Sequence, residues 1–231
     1  MLLTKAVSAS RIAAAAFPFI FAILIGSRCR AAEIAPNVIT VDQARAEIRF
    51  RASVHPDAMY LPFGIHGHHA IVSRSGRASR WALFKAEAGD LEIRQALDRI
   101  GARPGENLPA ASWTERENKS SAAPSLRVEG TPLEILISWD GRAPVPLASL
   151  LDPRQGNSFD FRYGGNQRHR SEFRSGCIVC LYSCPGGAIG NRNKTIRDWV
   201  NEGPVYSARK AALPRRGSSV TITIRKKAEV A

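Results

Sequence analysis

Residues 46–54 restrict the fold most strongly, because apolar and polar side chains alternate at every step of this segment. The apolar set comprises Ala46, Ile48, Phe50, Ala52 and Val54. A period of two predicts a β-strand with one buried face. The pattern recurs at 133–139 and 220–224, so the sequence predicts a domain built mostly of antiparallel β-sheet.

The remaining elements are predicted from shorter patterns. Further strands are expected at 38–41, 69–73, 79–85, 145–147 and 159–163. One clear helix is expected at about 90–100, where Asp90 can cap the first turn and Gly101 can end the helix. The polar segment at about 105–125 has no periodicity and is predicted to be a long loop. The predicted fold class is a single α+β domain.

The first 31 residues have the pattern of a secretory signal peptide. Two basic residues, Lys5 and Arg11, precede the apolar run 12–26. This run is shorter than the roughly 20 residues that a membrane-spanning helix needs. Cleavage before Ala32 would leave residues 32–231 as an exported, periplasmic domain.

An uncleaved membrane anchor is the alternative interpretation of the same segment. Arg28 and Arg30 follow the apolar run directly, and positive charge at that place opposes translocation. In that case residues 12–26 would hold the protein at the inner membrane. Contact with a membrane is expected only if the segment is retained.

The distribution of charge restricts the partners. Removal of the signal segment takes four basic residues away and lowers the formal net charge from +13 to +9. The other basic residues are dispersed, with short clusters only at 168–170, 215–216 and 225–227. Nucleic-acid binding favours a concentrated basic stripe with exposed aromatic residues, so no nucleic acid is expected as a partner. The expected partner is another protein of the cell envelope.

Three cysteines within eight residues are the most specific chemical feature of the chain. Cys177, Cys180 and Cys184, followed by proline, have the spacing of the last three cysteines of the bacterial ferredoxin run. Arg174 stands in the place of the first cysteine, so a cluster would need three thiolates or an outside ligand such as His169. The twin arginine that directs export of folded proteins is missing, which argues against a cluster loaded before export.

Three other chemistries compete with an iron–sulfur cluster at these cysteines. The first is thiol–disulfide exchange through the Cys-x-x-Cys pair. The second is a soft metal ion, copper or zinc, for which His66, His68, His69 and His169 are possible co-ligands. The third is a disulfide that only staples a structural or interaction domain. No catalytic residue is predicted, and a binding module is favoured over an enzyme.

A family resemblance rests on several parts of the chain. The run ending in Gly101-Ala102-Arg103-Pro104-Gly105, the following strand to Trp139, and the Pro146-Leu147 step resemble the YdjY-type domain of bacterial envelope proteins. Residues 175–187 resemble the cysteine-bearing branch of that family, some of whose members carry a ferredoxin label. The resemblance covers about 38–224 and implies an exported domain without a defined activity. It supplies no catalytic residues.

The sequence thus predicts an exported accessory module with a three-cysteine metal-binding or thiol redox site. A structural or interaction domain stapled by a disulfide is one alternative. An iron–sulfur electron carrier similar to ferredoxin is the other.

Overall fold

The computed structural model describes residues 38–60, 67–153, 158–203 and 205–227. The predicted signal segment and His66 lie outside these residues. Strands predominate in the described part of the chain: β1 (Ile39–Asp42), β2 (Glu47–Val54), β3 (His69–Ser73), β4 (Phe84–Ala86), β5 (Pro132–Ser138), β6 (Val145–Pro146), β7 (Leu151–Pro153), β8 (Phe161–Tyr163), β9 (Cys177–Cys180), β10 (Gly187–Asn191), β11 (Tyr206–Ala208) and β12 (Ser219–Lys226).

The helices of the described residues are short. The α-helices are α1 (Asp90–Arg99), α2 (Ala111–Thr114), α3 (Arg170–Phe173) and α4 (Ile196–Glu202). Single turns of 3-10 helix occupy Pro56–Tyr60, Ser79–Trp81, Ala123–Ser125, Leu147–Leu150, Gln167–His169 and Lys210–Ala212. None of the helices in the described ranges has both the length and the hydrophobicity needed to cross a membrane.

Eight of the described strands close into a barrel. Their order is β2–β12–β5–β8–β10–β9–β3–β4, and a pairing of β4 with β2 completes the ring. Within the ring, β3 runs parallel to β4 and β9 runs parallel to β10. All other adjacent strands of the ring are antiparallel. Strand β1 extends β2 outside the ring, β6 pairs with β5, and β7 and β11 form a separate two-stranded sheet.

The predicted α+β class is therefore wrong, because the fold is a closed, mixed β-barrel with only small helices. The strongly alternating strands are present as β2, β5 and β12. Strands β3, β9 and β10 are buried along their whole length, so they show no alternation that a period of two could detect. Closure depends on pairings between residues that are distant in sequence, which local periodicity does not reveal.

Helix α1 forms where its apolar spacing predicts it and packs against β1, β2 and β9. Its first turn is capped differently from the prediction. Gly89 precedes the helix, and its backbone N–H donates to the Glu92 carboxylate at 2.8 Å. At the other end Gly101 adopts φ +72°, a left-handed conformation that suits glycine and ends the helix.

The segment predicted as a long loop, 105–125, holds α2 and one 3-10 turn. The Arg197 guanidinium on α4 fastens it by donating to the carbonyl groups of Arg116, Asn118 and Ser121 at 2.8–2.9 Å. Trp113 of α2 also packs against Trp199 of α4, with ring centroids 5.4 Å apart and the rings tilted by 30°.

Candidate functional site

Strand β9 carries two of the three cysteines into the interior. It lies between β3, which runs antiparallel to it, and β10, which runs parallel. Its pairing with β3 is irregular on both sides of Ile71, and it places His69 opposite Cys180 and Val72 opposite Cys177. All four residues of β9 are buried, so both faces of the strand contribute to the core.

The turn after β9 returns the third cysteine to the other two. The Leu181 N–H donates to the His68 carbonyl at 2.8 Å, and the Asn191 side chain donates to the Leu181 carbonyl at 3.2 Å. The Gly187 N–H closes the turn by donating to the Cys184 carbonyl at 3.2 Å. A Cβ atom on Gly187 would lie 3.3 Å from the Cβ of Cys180, so this position favours glycine.

Two glycines allow the backbone before β9 to lie directly against the loop after β3. A Cβ atom built on Gly176 would lie 2.5 Å from the Cα of Gly76, and Gly176 also has φ +67°. The contact is secured by backbone hydrogen bonds from Ser73 to Gly176 at 2.9 Å and from Ala78 to Ser175 at 3.1 Å. These contacts fix the point at which β9, and with it Cys177, enters the barrel.

The three thiols form a chain of hydrogen bonds. Cys180 is the middle member and is within hydrogen-bonding reach of both Cys177 and Cys184. Burial, together with the bond to Cys177, raises the pKa of the Cys180 thiol, and the bond to Cys180 together with burial raises that of Cys184. In the described part of the chain all three are free, buried cysteines, and no disulfide joins any two of them.

His69 lies at the Cys177 end of this chain. Its Nδ1 atom is 3.4 Å from the Cys177 sulfur, and its ring is 3.9 Å from that of His68. Burial lowers the pKa of His69 to about 4, so the ring is neutral at physiological pH. A neutral imidazole beside a thiol is able to accept a proton or to bind a metal ion.

The depressed pKa of His69 predicts that the metal-free protein loses stability in mild acid. The unfolded chain takes up a proton near pH 6.5, whereas the folded chain does so only near pH 4, so the free energy of unfolding falls as the pH drops between these values. The full loss is about 3 kcal/mol, at about 1.4 kcal/mol per pH unit. Urea unfolding at pH 7 and pH 4 measures it.

His69→Asn is the control for this prediction, because asparagine keeps a polar group near the Cys177 sulfur but does not titrate. The variant is expected to show a smaller loss between pH 7 and pH 4 than the unmodified protein. Parallel stability curves for the two proteins would contradict the assignment to His69.

A cavity of about 210 Å³ reaches two of the sulfurs. Cys177, Cys184, His68 and His69 contribute to its wall. Trp81, Trp113 and Phe173 make most of the remaining surface apolar, and the exposed Arg77 also borders it. Cys180 is not among the lining residues and is fully buried.

The other predicted site residues lie elsewhere. The Nε2 atom of His169 accepts a hydrogen bond from Arg168 at 3.1 Å, and its Nδ1 atom lies 3.4 Å from the Glu172 carboxylate. His169 does not line the cavity. Arg174, in the place of the missing ferredoxin cysteine, is exposed and borders a different cavity. Within the described ranges no group of three or more His, Cys, Asp or Glu side chains is arranged to hold a metal ion.

Arg94 of α1 is only 1% exposed, although the sequence did not indicate it as a site residue. Neither its Nε nor its Nη1 atom has a hydrogen-bond partner in the described part of the chain. Burial lowers the pKa of Arg94, although Asp90, Tyr163, Glu106 and Cys177 lie close enough to oppose the effect. Helical spacing places Arg94 one turn from Asp90 and from the buried Leu97, and this spacing was the available signal.

The YdjY domain family matches residues 39–225, which include the barrel and its cysteine-bearing strand. The chain is therefore a member of this family. Over 159 residues the chain is 30% identical to the uncharacterised protein YdjY of Escherichia coli (strain K12). This match covers 68% of the chain and 66% of that protein, so the chain spans about two thirds of the length of its relative. No solved structure matches. The resemblance seen in the sequence is thus confirmed, and the function has to be argued from the site.

Proposed function

We propose that the chain is an accessory protein that binds one copper(I) ion through adjacent thiolates of Cys177, Cys180 and Cys184. The observation that carries the proposal is the position of Cys180, which is buried and within hydrogen-bonding reach of both of the other buried cysteines. Thiolates are the ligands that copper(I) prefers. Cys180 forms one pair of adjacent sulfurs with Cys177 and a second pair with Cys184.

The arrangement of the donors favours copper(I) over the other metals considered. Structural zinc sites need four ligands, and the described residues contain no preformed group of three. A [4Fe–4S] cluster needs four cysteines, but Arg174 replaces one of them and borders a separate cavity. Copper(I) is stable with two sulfur ligands, which the chain of thiols provides.

The surroundings of the cysteines suit a bound ion that is exchanged. Burial and mutual hydrogen bonding raise the pKa values of Cys180 and Cys184, so these thiols are poor nucleophiles without a cation. A positive ion among the sulfurs would stabilise their ionised forms. The cavity that reaches Cys177 and Cys184 supports transfer of the ion to or from another protein.

The cellular setting is part of the same proposal. The N-terminal pattern of basic residues and a short apolar run supports export to the periplasm, with retention at the inner membrane as the alternative. The proposed partner is another envelope protein that supplies or receives copper(I). Binding and delivery, rather than catalysis, is the proposed role.

Anaerobic titration of the reduced, metal-free protein with copper(I) tests this function. We expect one tightly bound ion per chain in competition with bathocuproine disulfonate, and X-ray absorption should show two sulfur neighbours. Zinc titration under the same conditions is the comparison and should give weaker binding. The proposal fails if the protein does not compete for copper(I), or if anaerobic reconstitution yields stoichiometric iron and sulfide instead. A protein isolated with a disulfide and one inert thiol, indifferent to copper, would favour the structural staple.

A further inference from the structure

We propose that an acidic segment of the copper-exchanging partner docks on two exposed arginines, Arg77 and Arg174, and places one large apolar side chain in the cavity beside the cysteines. This inference rests on the proposed function, because it names the chemistry of the partner with which copper(I) is exchanged. It also assigns a role to Arg174, which occupies the position of the missing ferredoxin cysteine.

A polar cavity of about 320 Å³ lies next to the cysteine cavity. The same two segments of the chain line both of them. Arg77 and Phe173 border the cysteine cavity, whereas Gly76 and Arg174 border the polar one. The Arg77 N–H donates to the Arg174 carbonyl at 3.2 Å, which joins the two segments at this point. A ligand that lies across this backbone contact can therefore reach both cavities.

The groups that border the polar cavity carry positive charge. Arg170 lines it and is paired with Asp90 at 2.8 Å, so this acidic group is already neutralised. Arg77 and Arg174 are exposed, and neither guanidinium pairs with a carboxylate among the described residues. The Nε atom of Arg174 donates to the Ser171 carbonyl at 3.2 Å, which leaves its two terminal nitrogens for a ligand. Two guanidinium groups are thus available to bind carboxylates, which match their planar donor geometry.

The cysteine cavity suits an inserted side chain better than a separate small ligand. Its volume of about 210 Å³ is below the roughly 300–1,000 Å³ typical of small-molecule sites. Trp81, Trp113 and Phe173 line it, and apolar anchors buried in such pockets contribute most of the binding energy at protein interfaces. A side chain inserted there would lie against Cys177 and Cys184, where copper(I) is exchanged.

An anionic membrane would also attract the arginines, but it does not match the shape of this surface. Binding at a bilayer surface buries protruding apolar side chains. The exposed large apolar residues of the described chain are Val38 and Leu126, and neither lines the cysteine cavity or the polar cavity. A concave apolar site beside positive charge instead needs a partner that protrudes, which favours an acidic protein segment.

A capped five-residue peptide, phenylalanine flanked on each side by two aspartates, tests this inference on the reduced, metal-free protein. In ¹H–¹⁵N NMR spectra the indole N–H signals of Trp81 and Trp113 should shift saturably. The signal of Trp139, which does not line the cavity, should stay in place. Replacing the phenylalanine with alanine removes the anchor, and replacing the aspartates with asparagines removes the carboxylates. Each change should weaken binding by at least about tenfold.

Arg77→Glu/Arg174→Glu is the corresponding change in the protein. It should weaken binding of the aspartate peptide by at least about tenfold, because like charges then face each other. Arg99→Glu/Arg215→Glu is the matched control, since it changes the net charge equally at two exposed arginines that line neither cavity. At physiological ionic strength, where distant surface charges are screened, the control should bind within about twofold of the unmodified protein.

The outcomes separate this inference from the proposed function. Copper(I) binding without peptide binding overturns only the docking surface, whereas peptide binding without copper(I) binding overturns only the proposed function. Equal affinity for the asparagine peptide, or equal losses in the two double variants, overturns the role of Arg77 and Arg174. If the unmodified protein ignores the peptide but binds phosphatidylglycerol vesicles, and Arg77→Glu/Arg174→Glu does not, the arginines face a membrane and the acidic partner is excluded.

Discussion

Cys180→Ser is expected to lower the affinity for copper(I) by at least about 1,000-fold, which corresponds to roughly 4 kcal/mol of binding free energy. Cys180 is the sulfur that both adjacent pairs share. Its loss leaves Cys177 and Cys184 at opposite ends of the former chain of thiols. Serine is close in size, so the barrel should remain folded. Anaerobic competition with bathocuproine disulfonate measures the affinity.

The two outer cysteines provide the controls for this prediction. Cys177→Ser keeps the pair Cys180–Cys184, and Cys184→Ser keeps the pair Cys177–Cys180, so each should bind copper(I) within about tenfold to thirtyfold of the unmodified protein. Equal and severe losses in all three variants would show that three sulfurs hold the ion together. That result would contradict the two-sulfur arrangement while leaving a metal site in place.

Gly176→Ala should reduce the free energy of unfolding by about 4 kcal/mol or more, a loss that few single substitutions reach. The new methyl group would lie 2.5 Å from the Cα of Gly76, where only backbone movement relieves the clash. Alanine is also strained at φ +67°. Thermal unfolding is expected to begin about 10 °C lower or more, or the protein fails to accumulate in soluble form.

Gly141→Ala separates the clash from the backbone strain. Gly141 has φ +69°, close to that of Gly176, but nothing lies within 4 Å of its Cβ position. This variant is expected to lose only about 1–2 kcal/mol. Similar losses at the two positions would show that the close approach of Gly76 and Gly176 does not determine how β9 is held.

Alternation in the sequence predicted β2, β5 and β12, and a shorter pattern at 69–73 predicted the fully buried β3, but the fully buried β10 was not among the predicted strands. Buried and less buried residues alternate along much of β2, β5 and β12, and the apolar residues of α1 recur at helical spacing. The barrel closes through β3, β4, β9 and β10, short strands whose pairing brings distant parts of the chain together. The period of the pattern shows which face of a strand is buried, but it does not show which strands pair with it. An open sheet and a closed barrel therefore have the same sequence pattern.

The candidate site was predicted only as far as its local spacing. The cysteines are close in sequence, so their clustering could be inferred. Contact between His69 and Cys177 spans 108 residues and depends on the pairing of β3 with β9. Arg94 was overlooked because an arginine on a helix is normally solvated, and only its place on the apolar side of α1 indicated otherwise.

The place of β12 in the ring has a consequence for how the protein matures. This strand follows the cysteines in the chain, yet it pairs with β2 on one side and β5 on the other. The ring therefore stays open until residues 219–226 have docked, and such long-range pairing is intrinsically slow. We expect the sulfurs of β9, which are buried in the closed barrel, to be more accessible to oxidants during that interval. The yield of reduced, copper-competent protein should accordingly depend on how quickly its C-terminal strand joins the barrel.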